Sequence, residues 1–322
     1  MPHRTSLVPL RRPRALELGD RVAVVAPSGP VDAGLLEAGC AALRSWGLEV
    51  CVTPHARDTR GYLAGRDADR AADFVQAWCD PEVAGVLCAR GGYGVQRVID
   101  LLDWDALADA TRDPDTVKAF AGASDVTALH EALAARLEVA TFFGPMVATH
   151  CFASHEPSRE ALRRALHGER PTLRGRALVG GTATGVTVGG TASMLASSAG
   201  TWSSRPAGGG IAILEDVAEE PYRLDRILTQ LLRSCYFEGV AGIALGSWVG
   251  CGSPENVQQV ILDRLGGLGV PVLADLGFGH GSSQLTVPLG VAAHLDADAG
   301  ALSVLGAWQT GHAGGPPEAR SS

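Results

Sequence analysis

A serine stands where an apolar run turns into a helix-like stretch, in Phe120-Ala121-Gly122-Ala123-Ser124-Asp125-Val126. A sharp strand-to-helix corner with a small residue two positions before the serine is the shape of a nucleophile elbow, and Gly122 supplies that residue. Val126 replaces the usual second glycine of G-x-S-x-G. Free N–H groups and the dipole at a helix start favour negative charge, which suits an oxyanion held by the N–H of Asp125. A plain N-cap serine has the same signature, so the pattern leaves both roles open.

A serine nucleophile needs a base. Lys118 lies upstream on the same strand, roughly 20 Å away at about 3.3 Å per residue, which is too far. His130 falls within the following helix and faces away from its start, and His3 and His312 are in the tails. His280 stands in Gly277-Phe278-Gly279-His280-Gly281, directly after the apolar run Val270–Ala274. Flanking glycines put it on a loop whose backbone can approach a ligand closely, and an ordinary surface histidine would look the same. An orienting acid is best held at the end of a buried strand, the form of Ile211-Ala212-Ile213-Leu214-Glu215. Asp216 is a rival, while Glu219 and Glu220 precede Pro221 and read as acids of a first helical turn. A strand-end carboxylate in water is the plainer alternative for Glu215.

Arg90-Gly91-Gly92-Tyr93-Gly94 follows another buried run. Gly91 or Gly92 could offer a backbone N–H to an oxyanion, or form a plain turn, and Arg90 could read a terminal carboxylate or pair with an aspartate. The segment lacks the G-x-G-x-x-G spacing of a dinucleotide site. No His, Cys and Asp cluster has metal-ligand spacing, so neither cofactor nor metal is expected.

The elements around these residues alternate. Strands read at Val22–Ala26, Val50–Thr53, Val83–Ala89 and Val117–Ala121, and helices at Asp67–Trp78, Val126–Leu137 and around Leu36, Cys40 and Leu43. This predicts a parallel sheet with helices on both faces, with ligands at the carboxyl ends of the strands, where Gly91-Gly92 and Ser124 fall. Residues 15–150 form this first domain, and the polar, arginine-rich stretch 151–172 reads as a connector. From 173 to 310 glycines become dense, with strands at Val186–Val188, Ile211–Leu214, Ile243–Leu245, Val270–Ala274 and Leu285–Val287 and helices at Arg223–Arg233 and Asn256–Leu265. This predicts a second α/β domain with a curled or barrel-like sheet, and a disordered tail over 311–322.

The chain has 322 residues, 46% hydrophobic and 19% charged, with a formal net charge of −8. An acidic chain argues against a nucleic-acid partner, which would want a basic face. No apolar stretch reaches about 18 residues and the N-terminus lacks a signal-peptide core, so no membrane partner and a cytoplasmic location are expected. The seven cysteines, with no C-x-x-C pair, read as buried thiols.

These segments resemble the LD-carboxypeptidases, cytoplasmic serine peptidases of murein recycling, a family that includes the microcin C self-immunity peptidases. The resemblance is carried by GDRVAVVAPSGPV (19–31), ARGGYGVQRVIDLLDWDAL (89–107), FAGASDVTALH with TFFGPM (120–146), GGTASMLASSAGT (189–201), ILEDVAEEPYRLDRILTQL (213–231), GIALGSW (242–248) and PVLADLGFGHGSSQLTVPLG (271–290), in order over nearly the whole chain. It implies Ser124 as nucleophile, Glu215 as orienting acid and His280 as base. It also implies a Rossmann-like N-terminal domain, a C-terminal domain with a barrel-like sheet, a site between them, a homodimer and no cofactor. The implied substrate is a murein tetrapeptide losing D-alanine, with hydrolysis of microcin C-like peptidyl or aminoacyl nucleotides as the alternative. Thr191 follows Gly189-Gly190 where the family carries asparagine, which puts a substrate contact in doubt. Trp202 is the aromatic residue that would serve as a platform for a nucleotide base.

Overall fold

Along Arg21–Val25 side chains alternate between two faces, yet four of the five residues are buried. Such a strand has to be covered on both sides, which is the situation of a parallel sheet between helices. The computed structural model describes residues 6–306, and builds this sheet from β1 (Arg21–Val25), β2 (Glu49–Val52), β3 (Val83–Cys88), β4 (Ala119–Gly122) and β5 (Thr141–Phe143). The chain continues through β6 (Thr172–Arg174), β7 (Arg176–Val179), β8 (Thr182–Thr191), β9 (Gly210–Val217), β10 (Gly242–Val249), β11 (Val272–Ala274), β12 (Val287–Leu289), β13 (Ala292–Asp296) and β14 (Ala301–Val304).

The first sheet has the order β12-β5-β4-β3-β1-β2, parallel except for β12, which runs antiparallel to β5. Its parallel part follows the doubly wound 2-1-3-4-5 order, whose direction reverses between β1 and β3. On one face Val25, Cys88 and Phe120 pack against Phe74, Trp78 and Leu129. On the other Val24, Leu87 and Phe142 pack against Leu36, Leu43 and Leu162. The crevice at the reversal point is formed by the loops after β1 and β3, which meet where the Gly29 N–H donates to the Gly91 carbonyl at 3.3 Å.

The second sheet has the order β6-β14-β13-β8-β9-β10-β11-β7, with β8 to β11 parallel and the outer strands antiparallel. Among the described residues no ladder closes it, so it is not a hydrogen-bonded barrel. Its edge strands β6 and β7 are consecutive in the chain and joined through Gly175 alone, so the two edges come together at that residue. The helix Pro221–Arg233 starts with proline at its first turn and buries Leu224, Leu228 and Leu231 against Leu214 and Leu245. The opposite face, with Ile211, Ile213 and Leu273, shares one continuous core with Phe120, Leu129 and Phe143 of the first domain.

Two features depart from the domain reading. The segment 151–172 is not a bare connector: its helix Glu156–Leu166 buries Leu162, Ala165 and Leu166 in the core of the first domain. The second domain also sends β12 into the first sheet before returning to its own with β13. The tail 311–322, His3 and His312 lie outside the described residues. No helix among the described residues is long and apolar enough to cross a membrane.

Candidate active site

Ser124 sits where β4 meets the helix Thr127–Arg136, with φ of 64°. A left-handed serine costs about 1–3 kcal/mol and persists only where its surroundings fix it. The turn is tight because the Val126 side chain fills the space beside Gly122, where an added Cβ would lie 2.6 Å from Cγ1 of that valine. This explains why position 122 takes glycine when valine stands at 126. The helical residues begin at Ser124 itself, Ala123 is the capping residue, and no side chain caps the turn. The N-cap alternative therefore falls away, and among the described residues the Ser124 hydroxyl makes no hydrogen bond.

Asp125, the next residue, is buried and points away from solvent. Its carboxylate accepts from the Ser28 hydroxyl at 2.6 Å and the Val95 N–H at 3.0 Å, tying the loops after β1 and β3 to the Ser124 corner. Burial raises its pKa, against the pull of those donors. Buried Arg70 reinforces the same junction through the carbonyls of Pro27 and Gly94. Sequence reasoning missed Ser28 and Arg70, and no local signal marks either.

Of the paired glycines, Gly91 abuts the serine: a Cβ there would come within 2.7 Å of Ser124 Cβ and 3.0 Å of Oγ. Gly92, with φ of 131°, packs against Gly29 and is exposed. Arg90 donates from Nε to the Gly91 carbonyl and from Nη1 to the Pro30 carbonyl, both at 3.0 Å, so it braces the loop. No aspartate pairs with it among the described residues.

Glu215 lies inside β9, not at its end, and is fully buried, unlike a strand-end carboxylate in water. Its Oε2 accepts from His280 Nδ1 at 2.7 Å. With Nδ1 carrying the proton, Nε2 is left as the basic nitrogen. Burial lowers the His280 pKa, but the hydrogen bond and charge of Glu215, with the charge of Asp216, outweigh it, and the net shift is upward. The His280 loop is pinned by Ser247, which accepts from the Gly281 N–H at 3.0 Å. Gly279, with φ of 103°, passes so close that a Cβ would lie 2.5 Å from Glu215 Oε2. The rival Asp216 caps another segment, accepting from the Ser193 N–H at 2.7 Å, and burial raises its pKa to about 6.

The two halves meet through threonines. Thr191 donates its hydroxyl to Glu215 Oε1 at 2.5 Å and its N–H to the Thr127 hydroxyl at 3.1 Å, one turn beyond Ser124. Thr191 is 3% exposed, and its hydroxyl is taken up by the Glu215 carboxylate. Trp202 is 41% exposed, edge-on to Trp104 at 5.5 Å, with the Arg136 guanidinium 4.7 Å from its ring centre. It joins the second-domain segment to first-domain helices, and one of its faces is already occupied.

The other titratable residues separate from this site. His130 donates from Nε2 to the Gly122 carbonyl and accepts at Nδ1 from Thr141, and burial lowers its pKa to about 4. The Lys118 ammonium donates to the carbonyls of Asp80 and Val83. Cys40, Cys88 and Cys251 are buried, whereas Cys235 is exposed. Against the sequence expectation, His55, Asp58 and Asp69 do converge, with ligand atoms within 4.8 Å of one another. His55 is hydrogen-bonded to Asp58 and Asp69 to Arg66. A cavity of about 570 Å³ between Trp248, Gln258 and Asp275 reaches Ser247 from outside and is lined by none of Ser124, Glu215 and His280.

Models of the LD-carboxypeptidase N-terminal and C-terminal domains match residues 22–144 and 184–295. The chain is 54% identical over 303 residues to a Streptomyces coelicolor protein named provisionally as a carboxypeptidase, covering 92% of this chain and 96% of that one. It is 32% identical over 290 residues to the murein tetrapeptide carboxypeptidase of Pseudomonas aeruginosa, covering 86% and 93%. Among solved structures it is similar to the muramoyltetrapeptide carboxypeptidase of Oxalobacter formigenes, with a TM-score of 0.77 at 28% identity over 88% of this chain and 97% of that one.

Proposed function

The chain belongs to the LD-carboxypeptidase family, and from that premise we propose that it is a serine peptidase releasing a terminal D-amino acid from murein tetrapeptides. Nε2 of His280 takes the proton of Ser124, whose oxygen attacks the carbonyl between an L-centre and the terminal D-residue. Glu215 holds the imidazole tautomer and stabilises its charged form. The N–H of Asp125, with one from Gly91 or Gly92, receives the oxyanion. His280 then protonates the leaving amine, and water hydrolyses the acyl-enzyme. The observation that supports this reading most is the pairing of His280 with a fully buried Glu215 at 2.7 Å, linked by hydrogen bonds to the helix that Ser124 begins.

The test is D-alanine release from a murein tetrapeptide by purified protein, followed by mass spectrometry. Ser124→Ala is expected to lower kcat by something on the order of 10⁴ to 10⁶. Amidating the peptide C-terminus is expected to lower kcat/KM about 30-fold, by leaving a donor for the carboxylate unpaired. A fully active Ser124→Ala protein overturns the serine mechanism. Preferential cleavage of an aminoacyl sulfamoyl adenosine, with the tetrapeptide untouched, replaces the substrate by a nucleotide conjugate.

A further inference from the structure

Glu215 has two oxygens in a fully buried site, and each needs a donor if the carboxyl group is to be held still. His280 serves Oε2. Oε1 is served by Thr191, at 2.5 Å. We infer that Thr191 is a positioning residue for the catalytic carboxylate, acting on His280 through Glu215; this rests on the serine-peptidase reading above.

The strand register puts Thr191 directly beside Glu215, as partners in the β8–β9 parallel pair. Its own place is fixed from the first domain by the bond from its N–H to Thr127. Ser193, two residues on, is fixed from the second domain, because Asp216 accepts from its N–H and from its hydroxyl. A β-branched side chain held at both flanks has few χ1 choices, so the hydroxyl points at Oε1 in one rotamer.

The two preceding glycines make this approach possible. At Gly189, with φ of 133°, a Cβ would lie 2.1 Å from the Ile213 carbonyl oxygen. At Gly190, with φ of 148°, it would lie 2.7 Å from the Thr127 hydroxyl. Glycine lets the end of β8 press against β9 and against the nucleophile helix at once. Hydrogen bonds therefore run from the Ser124 helix through Thr127, Thr191 and Glu215 to His280. Nucleophile and base are registered to each other through one side chain that the substrate never meets.

Thr191→Val keeps the shape and removes the hydroxyl, and Thr191→Ser keeps the hydroxyl. Thr191→Ala, which adds no bulk, is measured beside them so that a folding failure of the valine protein leaves the question answerable. Two readouts are used: tetrapeptide hydrolysis, and labelling by an alkyl fluorophosphonate. In the second, the Ser124 Oγ–P bond forms, P–F breaks, fluoride leaves and the serine proton passes to His280. The valine and alanine proteins are expected to lose about 10- to 100-fold in kcat and in labelling rate, with KM within about threefold of wild type, because a buried carboxylate oxygen is left without its donor. The serine protein is expected to stay within about threefold of wild type in both readouts, since it restores that donor. Wild-type kcat in both hydroxyl-less proteins, or a raised KM at unchanged kcat, overturns the positioning role. Failure of the wild type in both readouts, or labelling of Ser124→Ala, overturns the serine mechanism instead.

Discussion

Glu131 gives a stability prediction whose size follows from its surroundings. It lies on the helix Thr127–Arg136 that follows Ser124, is 4% exposed, and faces the second domain. Oε1 accepts a 3.3 Å bond from the Arg205 N–H, and among the described residues Oε2 has no partner. Burial raises its pKa from 4.5 to about 8, only partly opposed by Ser198 and Arg205. Below pH 4.5 the folded and unfolded chains are both protonated there, and the group contributes nothing to pH dependence. Above it the unfolded chain ionises while the folded one keeps its proton, so stability falls until the pH passes about 8. Each unit in that window costs about 1.4 kcal/mol, so about 4 kcal/mol is lost between pH 5 and pH 8. Glu131→Gln has nearly the same shape and does not titrate. Its amide also faces a site with no partner, a penalty of about 1–3 kcal/mol that does not vary with pH. The assay is urea unfolding of both proteins at each pH from 5 to 8. The variant is expected to gain on the wild type by about 4 kcal/mol across the series. A stability difference that is flat with pH, or that grows toward acid, refutes the buried protonated carboxyl.

Two further outcomes concern catalysis. The kcat/KM profile is expected to rise with pH through a midpoint above 6.5, because His280 must be neutral to act and its pKa is raised by Glu215 and Asp216 against burial; a midpoint at or below 6.5 contradicts that balance. Gly279→Ala places a Cβ 2.5 Å from Glu215 Oε2 and 2.7 Å from Ser247 Oγ in a backbone that disfavours side chains, and activity is expected to fall by about 10² because the acid or the base must move. An alanine variant within threefold of wild type would remove the close packing from the account.

The strands that were legible are those with continuous apolar runs. Val83–Cys88 and the core of β9 announce themselves, whereas β9 continues through Glu215 and Asp216 because neighbouring strands and Ser193 satisfy acids that look like a strand end. β5 is only three residues long, and β6 and β7 carry exposed arginines, so neither length nor pattern marks them. β13 alternates in burial, but Ala292-Ala293-His294 blurs the contrast that would show it. In the site, the corner at Ser124 and the pairing of Glu215 with His280 could be anticipated because each residue has a local context that fits that geometry. Their supports were not. Ser28 meets Asp125 across 97 positions and Thr191 meets Thr127 across 64, and no window of sequence contains such a pair. The bond from Thr191 to Glu215 was hidden for the same reason: its neighbours in sequence are glycines, and the partner lies on another strand.

The crossing of β12 into the first sheet bears on how His280 is placed. The His280 loop leaves β11 in the second sheet and ends at β12, which pairs with β5 in the first. Within the loop the Leu276 N–H donates to the Leu245 carbonyl and the Gln284 N–H to the Ser158 hydroxyl, so its two ends are anchored to different domains. Domains joined by a small polar interface are expected to move against each other. Here a shared apolar core and an exchanged strand oppose that motion. A hinge opening between the halves would have to tear β12 from β5 or stretch the loop that carries His280. The site is therefore assembled by folding and not by closure: without β5, the second half has no partner for β12 and no fixed end for the His280 loop.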